Sequence, residues 1–286
     1  MTSPLLITTA HELEKWSSEC HQRGEHIVIV PTMGNLHRGH LALVDEAKKQ
    51  GGRVVVSIFV NPTQFSEGED FERYPRTLDA DLEILAGVGA DVVFAPSVDE
   101  VYPRGSEEET IFAGPIGDVL EGAIRPGHFD AVVTVCKRLF DMSHADVAVF
   151  GEKDAQQLYL VTQMAQSLTP PVRIVGVPTV RDHDGLALSS RNSYLSTGDR
   201  QAALALPHTL EALTQRVSQG EKLASALAAG QLALAADPAL ELDYLESVNP
   251  DTFEASGEGD SHALILGAIT VGGTRLIDNR LVHLSR

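Results

Sequence analysis

The feature that most constrains the fold is an alternation. Short runs of β-branched residues at 27–30, 54–60, 92–95, 147–150 and 172–177 are separated by stretches, at 41–50, 78–87 and 154–168, whose apolar residues recur at helical spacing. Continuous apolar runs suit strands covered on both faces, so the pattern predicts a Rossmann-like, doubly wound α/β layer around a parallel sheet. Sheets of this kind bind ligands at the carboxyl ends of their strands. The segments that follow each run are therefore where chemistry is expected.

Beyond the region of Pro178 the texture changes. Residues 198–230 are rich in Ala, Leu, Gln and Glu and read as helices, which Pro238 closes. Strand-like runs at 242–248, 263–271 and 274–282 then follow without helices between them, and Gly272-Gly273 joins the last two as a tight hairpin. Two domains are expected: residues 1–179 as the Rossmann-like one and 180–286 as a smaller C-terminal α+β lid containing an antiparallel sheet. The acidic run 107–109 and the stretch 257–260 read as solvated loops.

Charge narrows the function classes. The chain has 22 Lys and Arg against 40 Asp and Glu, a net charge of −18, which disfavours a nucleic-acid binder or a protein of anionic membranes. An anionic ligand must be held by local geometry. Cys20 and Cys136 are far apart and in no CxxC pair, so a disulfide framework, a structural zinc and a redox motif lack support. With no basic n-region before an apolar core and no apolar stretch near the ~18 residues of a spanning helix, a cytoplasmic protein is expected.

Four segments after strands carry the polar chemistry. The first, PTMGNLHRGH at 31–40, puts His37 and His40 three residues apart at a helix start, where free N–H groups and the dipole favour phosphate and Gly39 leaves room for close approach. In FVNPTQF at 59–65, Asn61 and Gln64 are amides suited to the hydroxyls and carboxylate of a small polar substrate, though Asn-Pro alone is an ordinary turn signal. In FGEKDAQQL at 150–158, Lys153 can meet phosphate oxygens as a point charge, and Asp154 can accept from a ribose hydroxyl or a metal-bound water. After the fifth run, RDHDGLALSSRN at 181–192 offers Ser189, Ser190 and Arg191 as donors for phosphate charge. Each string alone fits a capped helix or a solvated loop. Their joint placement after successive strands favours one phosphate-binding crevice.

With these segments, YPRT at 74–77 and IRPGHFDAV at 124–132, nearly the whole chain resembles the pantoate–β-alanine ligase family of the HxGH nucleotidylyltransferase superfamily. HxGH alone marks only the superfamily, whereas the ordered set is specific. The resemblance implies a magnesium- and ATP-dependent condensation in which pantoate is adenylated and β-alanine then displaces AMP, in a homodimer. It implies that Met33, Gly34, Asn35, Leu36, His37, Arg38, Gly39 and His40 line ATP, with His40 as proton donor or phosphate stabiliser. Gly151, Glu152, Lys153, Asp154, Val180, Leu188, Ser189, Ser190 and Arg191 complete that site. Catalysis is expected of His37, His40, Lys153, Ser189, Ser190 and Arg191.

The resemblance also implies that Gln64 and Gln157 hold pantoate, Gln64 lying near β-alanine as well, with Asn61 in support. Arg125 and His128 match a motif near the site, as ligand contacts or as braces. Asp81 is the magnesium candidate, with a charge on an exposed helix as the plain alternative. Asn35 and Ala155 stand where alanine and an aromatic residue are common. The rival readings are a nucleotidyltransferase that stops after adenylating a phosphorylated acceptor, and a non-catalytic nucleotide sensor. The first would call for more basic residues, and the second would not require Gln64 and Gln157.

Overall fold

A computed structural model describes residues 3–66, 68–104, 110–257 and 259–284. The acidic run expected to be a loop at 107–109, and Glu258 of the other, lie outside the described residues. The chain divides into two compact units, residues 1–152 with 156–178, and residues 153–155 with 179–286.

The first unit is built on six parallel strands: β1 (Leu5–Ile7), β2 (Ile27–Thr32), β3 (Arg53–Ile58), β4 (Val92–Phe94), β5 (Val147–Gly151) and β6 (Arg173–Val177). Their spatial order is β1-β4-β3-β2-β5-β6. From β2 the chain winds outward through β3 to β4, and from β5 it winds the other way to β6. The direction therefore reverses between β2 and β5, which pair at Val28 with Val147 and Ile29 with Ala148. That is the switch point at which such sheets leave a crevice beyond the strand ends. The segment from β2 contains HxGH, and the one from β5 leads to Lys153.

Helices cover both faces: α1 (Ala10–Gln22), α2 (Arg38–Lys49), α3 (Leu78–Val88), the single-turn α4 (Val98–Val101) and α5 (Glu121–Ile124), α6 (His128–Ser143) and α7 (Ala155–Ser167). Two buried clusters result, one on each side of the sheet. One gathers Ile27, Ile29, Val55, Phe94 and the inner residues of α6; the other gathers Val28, Val30, Val54, Val56 and Leu85 with α2 residues such as Val44. Alternate residues of β2 and β3 thus point to opposite layers, which is why both strands carry continuous apolar runs, at 27–31 and 54–56.

The alternation read from the sequence accounts for five of the six strands. The sixth, β1, is three residues long, with Leu5 and Leu6 exposed at this edge of the sheet, too short to show a period. The helix α6 was not read from the sequence either: nearly all of its residues are buried, and only a narrow stripe of Asp130, Lys137 and Asp141 reaches solvent.

In the second unit, helices α8 (Thr197–Ala203), α9 (Ala205–Ser218) and α10 (Leu223–Ala235) precede an antiparallel sheet of β7 (Glu241–Val248), β8 (His262–Val271) and β9 (Thr274–His283). Leu206, Leu210, Leu213, Leu234, Leu245 and Ile265 form its fully buried centre. Gly272 and Gly273, at φ 54° and 75°, make the β8–β9 turn; consecutive left-handed residues give it the twist a two-residue hairpin needs. Among the described residues, no helix is long and apolar enough to cross a membrane.

Candidate active site

The loop between β2 and α2 is fixed by one carboxylate. Asp81, in the first turn of α3 and 1% exposed, accepts from the backbone N–H of Asn35 at 3.0 Å and of Leu36 at 2.8 Å, and from the Thr77 hydroxyl at 3.1 Å. Thr32 helps, donating to Ser57 O at 2.6 Å while its oxygen receives Gly34 N–H at 3.2 Å. Gly34 has φ 80°, and a Cβ there would lie 3.0 Å from both Asp81 Oδ2 and Ile58 Cγ2. Asn35 is also left-handed, at φ 51°. Asparagine tolerates that conformation better than alanine. The reading of Asp81 as a charge on an exposed helix is corrected: it is buried because it satisfies the donors of the loop.

His37 is the N-cap of α2. Its Nδ1 accepts from Gly39 N–H at 3.1 Å, and His40 Nδ1 accepts from His37 N–H at 3.2 Å. The rings lie side by side with centroids 4.1 Å apart. An imidazole that accepts at Nδ1 carries its neutral-state proton on Nε2, so this cap turns both rings into Nε2–H donors. Burial, and then the charge of His37, push His40 down to about 3. It is therefore neutral at ordinary pH and presents a hydrogen-bond donor rather than an acidic imidazolium.

Next in the sheet, the turn Pro62–Gln64 follows β3. Asn61, 1% exposed, caps it through Thr63 N–H and donates from Nδ2 to Gln64 Oε1 at 3.3 Å. Gln64 Nε2 points to Met33 Sδ at 3.2 Å, so the loops after β2 and β3 meet at that pair. The backbone carbonyl of Gln64 accepts from His128 Nδ1 at 2.8 Å and Arg125 Nη2 at 3.2 Å, while Arg125 clasps Glu69 at 2.7 and 2.8 Å. His128 therefore donates through Nδ1 and accepts from Arg125 through Nε2, at 2.8 Å. Burial, and then the Arg125 charge, hold it neutral, down to about 4. Arg125 and His128 brace Gln64.

Gln157 sits partly buried at the start of α7. Its neighbour Gln156 is buried and takes no substrate role: its amide receives Glu121 N–H and donates to Ile116 O and Val119 O.

In the second unit, Leu188 N–H donates to Val180 O at 3.0 Å and Asp182 N–H to Leu186 O at 2.8 Å, closing residues 180–188 into a small hairpin. Ser189 caps the turn Ser190–Tyr194, accepting from Arg191 N–H at 3.3 Å. Beneath the hairpin, Arg181 makes a two-pronged pair with Asp278 on β9, at 2.7 and 2.8 Å, and donates to Gly185 O. Asn279, next on β9, donates to Lys153 O at 2.9 Å and so ties down the three residues 153–155 that belong to this unit. Neither Asp278 nor Asn279 was singled out from sequence. They lie 97 and 126 residues from their partners, in a strand with no motif of its own.

Magnesium was expected at Asp81. Its two oxygens already receive three donors, and this arrangement suits a loop anchor rather than a metal ligand. Among the described residues, the one grouping of metal-type ligands is Asp182, His183 and Asp184. There the Arg200 guanidinium sits on both carboxylates, at 2.8 Å.

A doubly wound parallel sheet whose first internal crossover helix opens on a His-x-Gly-His pair defines an α/β protein of the nucleotidylyltransferase type. Within that class, the sequence profile described as pantoate-beta-alanine ligase matches residues 5–281, and the chain belongs to that family. It is 49% identical to the pantothenate synthetase of Nocardioides sp., over 97% of this chain and 85% of that one. The crystal structure of pantothenate synthetase from Thermus thermophilus has a TM-score of 0.90 at 45% identity, covering 96% of this chain and 98% of the other. The pantoate-beta-alanine ligase of Francisella tularensis, complexed with beta-gamma ATP and β-alanine, has a TM-score of 0.79 at 31% identity, covering 98% of each chain.

Proposed function

We propose that this chain condenses pantoate with β-alanine at the expense of ATP, and that the paired Nε2–H donors of His37 and His40 are the feature on which its first step turns. A pantoate carboxylate oxygen attacks the α-phosphorus, the bond to the β,γ-phosphates breaks, and pyrophosphate leaves with that electron pair. The amine of β-alanine then attacks the acyl carbon of pantoyl adenylate, AMP departs as a phosphate monoester, and the amine gives up a proton. A carboxylate needs this activation because its own oxygen is a poor leaving group. No protein nucleophile is required.

In this reading, residues 33–40 meet ATP, and His37 and His40 donate to phosphate oxygens as charge develops on them. From the second unit, Lys153 supplies a point charge, and Ser189, Ser190 and Arg191 supply further donors. Gly151, Glu152, Asp154, Val180 and Leu188 complete the nucleotide contacts. Gln64 and Gln157, supported by Asn61, take the hydroxyls and carboxylate of pantoate, and Gln64 serves β-alanine as well. As a neutral Nε2–H donor, His40 stabilises the phosphate charge. Magnesium, when bound, neutralises phosphate charge; it commonly keeps its waters and binds through the substrate's phosphates, which agrees with an Asp81 already engaged. A cytoplasmic homodimer belongs to the same reading: the family supports the dimer, and two free, buried cysteines accord with a reducing compartment.

The test is an assay of purified protein with ATP and magnesium. AMP and pantothenate are expected in equal amounts only when pantoate and β-alanine are both supplied, and ATP–pyrophosphate exchange with pantoate alone. AMP release independent of β-alanine, or exchange independent of pantoate, would refute the assignment.

A further inference from the structure

We infer that Tyr102 is a positioning residue for the acid substrate: its phenol fixes which end of the buried Asn61 amide faces Gln64, and thereby which end of Gln64 meets pantoate. The inference rests on the reading above that places pantoate at Gln64.

Asn61 must find its partners inside the protein. Its Oδ1 lies 2.9 Å from the Tyr102 hydroxyl, 3.0 Å from that of Thr63 and 3.3 Å from Thr63 N–H, and the two hydroxyls are 3.2 Å from each other. Two hydroxyl hydrogens serve these three O···O contacts. Every assignment that satisfies both hydroxyls delivers at least one of them to Asn61 Oδ1, in addition to the backbone N–H. The oxygen end is thus committed to Tyr102 and Thr63, and a flipped amide would set donor against donor at Thr63 N–H. Nδ2 is left to face Gln64 Oε1.

The consequence passes to the next amide. With its oxygen engaged by Asn61, Gln64 turns its NH2 outward, and the acceptor that NH2 now has is the Met33 thioether, a weak one. A carboxylate or hydroxyl oxygen can replace that sulfur at little cost. Tyr102 is itself restrained, since the Arg138 guanidinium lies 5.0 Å over its ring and also donates to Val101 O. Burial raises the phenol's pKa further above neutrality, so it stays a donor. Nothing in the sequence pointed here: Tyr102 follows α4, 41 residues from Asn61.

The experiment uses Tyr102→Phe, which keeps the ring and removes the hydroxyl. A rise of about 10-fold in the pantoate KM is expected, the scale of one lost orienting hydrogen bond, with the ATP KM and Tm near wild type. Thr63→Val combined with Tyr102→Phe should go further than either, because the two hydroxyls share the task. In a Gln64→Ala background, Tyr102→Phe should add less than about twofold, the signature of residues acting as one unit. A pantoate KM unchanged in Tyr102→Phe, equal rises in the pantoate and ATP KM values, or full additivity with Gln64→Ala overturns the inference. Should Gln64→Ala itself leave the pantoate KM unchanged, the placement of pantoate fails and takes the inference with it. A normal effect of Gln64→Ala beside a silent Tyr102→Phe sinks the inference alone.

Discussion

The segments that carry candidate nucleotide-binding residues in the two units are each tied down by a nearly buried carboxylate, but by different chemistry. In the first unit, Asp81 gathers neutral donors, two backbone N–H groups and a hydroxyl, around the loop that leads into HxGH. In the second, Asp278 meets a full opposite charge in Arg181, under the hairpin that leads to Ser189. The first anchor is a positioned acceptor for a backbone that must bend through two left-handed residues. The second is an ion pair whose loss leaves a cation stranded. Loss of either anchor should disturb its loop, with a larger energetic penalty at the ion pair.

The chemistry that these anchors serve gives the largest expected effects. His40→Ala and Lys153→Ala should each lower pantoate-dependent ATP–pyrophosphate exchange by at least ~100-fold while the protein remains folded, the scale of removing one positioned charge stabiliser. Lys153→Ala leaves its backbone carbonyl, and hence the Asn279 contact, in place. Near-normal exchange in either variant would refute the role assigned to that residue.

The anchors themselves come next. Asp278→Ala should cost about 3 kcal/mol in denaturant unfolding, the low end for breaking a buried pair, because the Arg181 side chain keeps 20% exposure. Asp81→Asn should cost about 2 kcal/mol, since the amide turns an NH2 toward backbone donors that then lack an acceptor. The same variant sharpens the magnesium question. If Asp81 is only a loop anchor, residual activity should keep the wild-type magnesium requirement; a weakening of about tenfold or more would return it to a role at the metal.

What was legible in the sequence follows the range of the interactions. The parallel layer was readable because β2 and β3 are apolar on both faces, and HxGH because strand, turn and helix cap are contiguous. The direction of the histidine nitrogens was not readable, since it depends on which backbone N–H each Nδ1 accepts. Asp81 could be noticed as a carboxylate but not placed, for its burial depends on a loop more than forty residues away. Asp278, Asn279 and Tyr102 were invisible for the same reason. Each acts on a segment distant in the chain through a single contact that leaves no periodicity or motif.

The smallest effect separates a brace from a ligand contact at Gln64. His128 is held neutral, down to about 4, and its Nδ1–H is needed by the Gln64 carbonyl. As pH falls below about 6.5, the unfolded chain takes up a proton that the folded one refuses, so stability declines. The decline from this group ends near pH 4, where the folded protein also binds the proton. Between pH 7 and 5.5 the loss should be about 1 kcal/mol. His128→Asn, whose amide can still donate to that carbonyl, should remove about one proton from the acid slope of the unfolding free energy while leaving the pantoate KM within about twofold. An unchanged slope would show that His128 is not the group refusing the proton. A large rise in pantoate KM with the slope reduced as expected would show that it touches substrate, and would move His128 from the brace into the site.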